Sequence, residues 1–317
     1  MILLICSFIS CNKTKEVEPI RISINAWPGY AYAFVAKEKG FFNKNNVSVE
    51  LNFKKNINES RALYANGKVD GLFDVFTDII MINARGIHTK IVYITDYSNE
   101  GDVIIGRKDL HSLRDVRDKV VSFDGFNSFS HLFVLQSIIN TGLSETDVHF
   151  GNIHAMDVLT ALENGEIDAG HTWEPVTTQA LAKGYKILTM AGDMPGIITD
   201  VLAFNTRVIE TRPKDVEKII KSLIEARDYL YTNREESIKI MAHEEGMSFD
   251  EMQRGINEVV ILNLTENIKA MQPSNSAISL HRSGETIIDF FQQRGQLTNR
   301  LSLDTIIEPM FIKSLKE

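Results

Sequence analysis

The sequence predicts an α/β protein of two like lobes, each a mostly parallel sheet flanked by helices, joined by two extended crossings. Three observations carry this. Short apolar runs alternate with helical stretches that each stop at a glycine, the order that builds parallel sheets with covered faces. The same signals return 98 positions later. Asn66-Gly67-Lys68-Val69-Asp70 corresponds to Asn164-Gly165-Glu166-Ile167-Asp168, Ala84-Arg85-Gly86 to Ala182-Lys183-Gly184, and Asp102-Val103 to Asp200-Val201. Third, residues 102–107 and 200–206 sit at equivalent points of the two halves, where the chain can cross between them.

The elements follow in order. In residues 20–26, apolar Ile20, Ile22, Ile24 and Ala26 alternate with Arg21, Ser23 and Asn25, the period of a strand. Trp27-Pro28-Gly29-Tyr30 is a tight turn into a helix, and Gly40, after Lys37 and Lys39, closes it. Residues 47–53 form a strand, 57–66 a helix ending at Gly67, 69–73 a buried strand, 77–85 a helix closed by Gly86, and 89–94 a strand. The second half repeats this with a strand over 119–124 and a helix over 128–141 stopped by Gly142. After a strand at 201–205, Val216, Ile219, Ile220, Leu223, Ile224 and Leu230 keep helical spacing behind Pro213. A last helix covers 285–293, after a breaker at Pro273-Ser274-Asn275. The expected division is 1–18 as leader and tether, 19–102 with 204–317 as the first lobe, and 103–203 as the second.

Composition excludes several function classes. A net charge of −8 and a pI near 5.6 give nucleic-acid phosphates no basic face to meet. Both cysteines, Cys6 and Cys11, lie at the start, so the body has no thiol for a disulfide, a metal cluster or a nucleophile. His243-Glu244-Glu245-Gly246-Met247 lacks the second histidine of a zinc-protease helix. No glycine-rich phosphate or dinucleotide loop is present, so neither a cofactor nor a metal is expected. Asp102 and Asp200 read as hinge or turn residues, not as an acid/base pair.

Ligands of open α/β sheets collect beyond the carboxyl ends of the strands. In the first lobe this selects Trp27, Gly29 and Tyr30, then Asp74 and Thr77, then Asp96 and Tyr97. In the second it selects Asp124, Phe126, Asn127, Ser128 and Ser130, then Thr172, Trp173 and Glu174. Trp27, Tyr30 and Trp173 can wall a ring or a cation, and Glu174 and Asp74 can pair with an amine. Ser128 and Ser130 open a helix, where such side chains either cap it or help hold an oxyanion.

Val35-Ala36-Lys37-Glu38-Lys39-Gly40-Phe41-Phe42 and the paired Asn-Gly-x-Val/Ile-Asp stretches resemble solute-binding proteins of ABC importers. The resemblance covers residues 20–291 and points to the group of nitrate, taurine, aliphatic-sulfonate and thiamine-precursor binders. It implies a periplasmic-binding-protein fold of type II, closing by a hinge over a small polar solute, without catalysis. The implied partners are that solute, an ABC permease and its ATPase, and the chain is expected to be a monomer. Sulfonate and nitrate binders use the corresponding helix start for the anion, which favours the ligand reading of Ser128 and Ser130. Together with the aromatics and acids this fits a taurine-like zwitterion or an aminopyrimidine, and bare nitrate less well. The alternatives are a ligand-binding sensor subunit and a thiamine-pyrimidine synthase-like enzyme; such enzymes carry a cysteine-rich motif that this body lacks. The opening MILLICSFISC, followed by polar residues 12–18, resembles the end of a bacterial lipoprotein signal. Cys11 is then acylated, and a lipid anchor holds the protein outside the cytoplasm as its one attachment to a membrane.

Overall fold

The computed structural model describes residues 18–315; Cys6, the acylation expected at Cys11 and most of the expected leader lie outside the described residues. Eleven strands are present among them. In chain order they are β1 Ile20–Asn25, β2 Val49–Lys54, β3 Gly71–Val75, β4 Thr89–Ser98, β5 Val103–Gly106, β6 Val120–Phe123, β7 His149–Asn152, β8 Ala169–Thr172, β9 Lys186–Met190, β10 Thr199–Asn205 and β11 Val259–Ile261.

They form two sheets, of order β11-β4-β10-β3-β1-β2 and β7-β6-β8-β5-β9. Without β11 the two orders are the same, strand for strand. In each, the first strand of the repeat pairs in parallel with the two that follow it: β1 with β2 and β3, β6 with β7 and β8. The antiparallel member of each is the strand that arrives from the other sheet, β10 and β5. The 98-residue spacing read from the sequence therefore corresponds to one topology used twice.

The structure corrects several expected bounds. β10 is in register with Asp96 and Tyr97 from Thr199 onward, so residues 199–203, expected in the second lobe, belong to the first sheet. β4 runs to Ser98 because two antiparallel neighbours, β10 and β11, extend its pairing; Asp96 and Tyr97 therefore lie within the strand. Asp74 likewise lies inside β3. Gly40 takes the left-handed conformation expected of a helix stop (φ 71°), and Phe41–Lys44 then add one more helical turn.

The core follows from the patterning. Ile20, Ile22 and Ile24 of β1 are fully buried, and Ser23 between them is buried as well because a central strand is covered on both faces. The Ser23 hydroxyl meets that of Ser60 at 2.7 Å. The helix Pro213–Thr232 buries Val216, Ile219, Ile220, Leu223 and Leu230 completely, against the helix Tyr32–Glu38 among others. Each such side chain contributes about 1.5–3 kcal/mol. The helix expected at 285–293 starts earlier, at Leu280, and two short helices, Leu303–Ile306 and Met310–Ser314, follow it. Among the described residues no helix is long and apolar enough to cross a membrane.

Candidate functional site

A cavity of about 400 Å³ opens beyond the carboxyl ends of β1, β3 and β8. From the side of the first sheet come Trp27 and Tyr30 in the turn after β1, Asp200 on β10, and Glu245 at the end of the helix Arg234–Glu245. From the side of the second come Phe129, His154, Trp173 and Glu174. Asp102, between β4 and β5, lies on the floor.

The Trp27 turn is fixed from behind. Its Nε1–H donates to Asp96 Oδ1 at 3.1 Å, and its backbone N–H donates to Glu245 Oε1 at 3.2 Å. Asp96 also accepts from the Thr95 hydroxyl at 3.0 Å. Gly29 does not line the cavity; its place is structural, since a Cβ there would stand 2.2 Å from the Asp96 carboxyl carbon. Tyr30 stacks on Phe73 with ring centroids 5.3 Å apart.

Burial dominates the electrostatics. It pushes Glu245 up to about 8 and Asp96 up to about 7, the latter against the hydrogen bonds from Trp27 and Thr95. Asp200 is held well above the usual carboxylate range by burial, then by the charges of Asp96, Asp102 and Asp74.

The hinge carries its own chain of contacts. Ser130 Oγ accepts the Asp124 N–H at 2.8 Å and lies 2.7 Å from His171 Nδ1, whose Nε2 meets Asp102 Oδ1 at 2.9 Å. Every atom is satisfied if the Ser130 hydroxyl donates to Nδ1 and Nε2–H donates to Asp102. Ser130 is thus occupied in holding His171 against the crossing.

Of the residues selected from the sequence, Trp27, Tyr30, Trp173 and Glu174 line the cavity. Asp124, Asn127 and Ser128 line a different hollow of about 340 Å³. The Ser128 hydroxyl caps its helix, accepting the His131 N–H at 3.2 Å and lying 2.8 Å from the Asp124 and Gly125 carbonyls. The N–H of Phe129, next in the helix, donates to Asp78 Oδ2 of the first lobe at 3.4 Å, and Arg61 pairs with the same oxygen at 3.0 Å. An internal carboxylate therefore occupies the helix start. Asp74 is gripped by Arg61 at 2.7–3.0 Å, is fully buried and does not line the cavity. Thr77 is buried in the first lobe, Thr172 donates its hydroxyl to the Ala155 carbonyl at 2.7 Å, and Phe126 is exposed.

Sequence reasoning missed Asp200 and Glu245 as cavity residues. Asp200 was legible as the repeat mate of Asp102; Glu245 sits beside Gly246, the left-handed stop of its helix, and only tertiary packing brings it to Trp27. Polar contacts span the gap at its rim: Asn56 with His154 at 3.3 Å, and Arg254 with Glu174 at 3.8 Å. Among the described residues no cluster of His, Cys, Asp and Glu can hold a metal ion.

Comparison with known proteins agrees with this architecture. The chain is 29% identical over 158 residues to a protein of Haemophilus influenzae named for thiamine biosynthesis, covering 49% of each. It is 23% identical over 153 residues to the taurine-binding periplasmic protein of Escherichia coli, covering 47% of each. The matches thus span about half the length of these curated relatives. The crystal structure of the periplasmic aliphatic sulphonate-binding protein of Escherichia coli superposes with a TM-score of 0.74 at 17% identity, over 90% of this chain and 95% of that one. The fold is that of the periplasmic binding proteins. The NMT1/THI5-like family model matches residues 27–237, from the first aromatic of the cavity to the helices that pack behind it, and the chain belongs to that family.

Proposed function

We propose that this protein is the extracytoplasmic solute-binding component of an ABC importer, catching a small polar solute between its lobes and offering the closed form to a permease and its ATPase. One observation carries the reading: the aromatic and acidic cavity takes its walls from both sheets, so enclosing a ligand and closing the hinge are one event. Trp27, Tyr30, Trp173 and Glu174 contact the solute. The names of the relatives suggest two ligand types, taurine- or sulfonate-like and thiamine-pyrimidine-like. Acylation of Cys11 would tether the protein outside the cytoplasm, and it acts as a monomer without turnover.

The test is a thermal-shift screen over taurine, alkanesulfonates, nitrate, hydroxymethylpyrimidines and small amines, with product analysis. A ligand at a hundred times its Kd adds about 2.7 kcal/mol to stability. The expected result is one class that raises the melting temperature, narrows the radius of gyration in solution scattering, and is recovered unchanged. Chemical conversion of the bound compound would replace this reading with an enzymatic one.

A further inference from the structure

The cavity has the wrong charge for an anion. Asp102, Glu174, Asp200, Glu245 and Glu251 line it, against Lys55 and His154. Several of its acceptors also lack donors. Asp200 is 3% exposed and its Oδ2 has no hydrogen-bond partner; Glu245 is 4% exposed and its Oε2 has none. Asn25 Oδ1, at the end of β1 on the same wall, is the third. All three side chains belong to the first lobe, and each unpartnered atom is an oxygen that accepts, in the two acids once the carboxyl is ionised. A buried acceptor without a donor is costly, so three at one cavity wall call for a group that brings donors. Independently, at the start of the helix Phe129–Asn140, which would favour an anion, the Phe129 N–H already donates to Asp78 and the His131 N–H to the Ser128 hydroxyl.

We infer that the ligand is a small organic cation rich in N–H donors, an amidinium- or amine-bearing ring, whose donors meet Asn25 Oδ1, Asp200 Oδ2 and Glu245 Oε2 while its face lies between Trp27, Tyr30 and Trp173. This rests on the solute-capture reading and narrows its ligand class: a sulfonate without an amine is excluded. Aromatic faces attract such a cation, and two carboxylates neutralise it in a site where solvent cannot.

The test uses three phenyl probes on the full chain, titrated calorimetrically: benzamidinium, its near-isostere benzamide, and the anion benzenesulfonate. Benzamidinium binds, benzamide binds at least tenfold more weakly, and benzenesulfonate does not bind. Glu245→Gln and Asp200→Asn each weaken benzamidinium at least tenfold. A second measurement needs no variant. Burial holds protons on Glu245 and Asp200 in the empty cavity, where Asp74, Asp96, Asp102 and Arg61 act on Asp200 and the Trp27 N–H faces Glu245. A cation displaces those protons, so binding at pH 7 releases protons, seen as a heat that changes with the ionisation enthalpy of the buffer. Absence of benzamidinium binding at millimolar concentration, binding without proton release, or affinity that survives both substitutions overturns the assignment. Benzenesulfonate binding with lobe closure would overturn it too, yet leave solute capture standing; no closure with any solute of the wider screen would remove both.

Discussion

At the scale of single residues, the cavity depends on side chains that never face it. Asp96 holds the Trp27 indole by its Nε1–H, and Gly29 leaves the space Asp96 needs. An alanine at position 29 would press its Cβ into a carboxylate that two hydrogen bonds fix within β4. Neither partner can swing away, so Gly29→Ala should cost about 1–3 kcal/mol, the range of overpacked interiors. It should also weaken ligand binding, because relief comes only by tilting Trp27. Denaturant unfolding and a ligand titration check both; an unchanged midpoint would show that the turn has slack. Trp27 and Trp173 were readable as cavity residues because a rare aromatic directly after a strand has few other places to go. Asp74 carried the same positional signal and was misread, since nothing local announces that Arg61, thirteen residues earlier, will claim it.

At the scale of elements, the helix Phe129–Asn140 separates two roles that its sequence leaves open. Its first residues offer hydroxyl, amide and free N–H groups, which suit a cap and an oxyanion equally. In the structure Ser128 caps, Ser130 supports His171, and Asp78 takes the Phe129 N–H. Ser128→Ala should therefore lower stability by about 1 kcal/mol, as loss of an N-cap does, and leave ligand affinity unchanged. A drop in affinity without a drop in stability would return Ser128 to the ligand. β1 to β4, β6 and β10 were legible because each is an apolar run bounded by a glycine or a turn; β5 read only as a crossing, and β7 and β9, the two edges of the second sheet, were not read as strands. Nor was β11, since three residues at a sheet edge carry no period. The reach of β4 to Ser98 was hidden for a related reason: its last residues are ordered by β10 and β11, partners a hundred or more positions away.

At the scale of the whole molecule, gathering acids around one hinge makes stability a function of pH whose direction can be worked out. Glu245 and Glu258 are both raised to about 8, and Asp78 and Asp96 to about 7, in each case chiefly by burial. A carboxyl whose folded pKa is raised contributes stability that is fully present below its unfolded value, ~4. That contribution is lost as pH climbs through the folded value, because the unfolded chain ionises first. The opposite sign applies to His131, which burial, aided by Arg294, lowers to about 4. Its contribution is present above its unfolded value of ~6.5 and disappears as pH falls through 4. The acids outnumber the histidine, and their downward slope runs from ~4 to their folded values near 7 and 8, so the ligand-free melting temperature should fall from ~pH 5 to 8 and level off above that. Glu245→Gln should flatten that fall, since an amide has nothing to ionise. A cationic ligand should flatten it too, by pairing with the same carboxylates once they are charged. A melting temperature that rises toward pH 9 without ligand would mean that these acids are solvated in the folded protein, contrary to their burial.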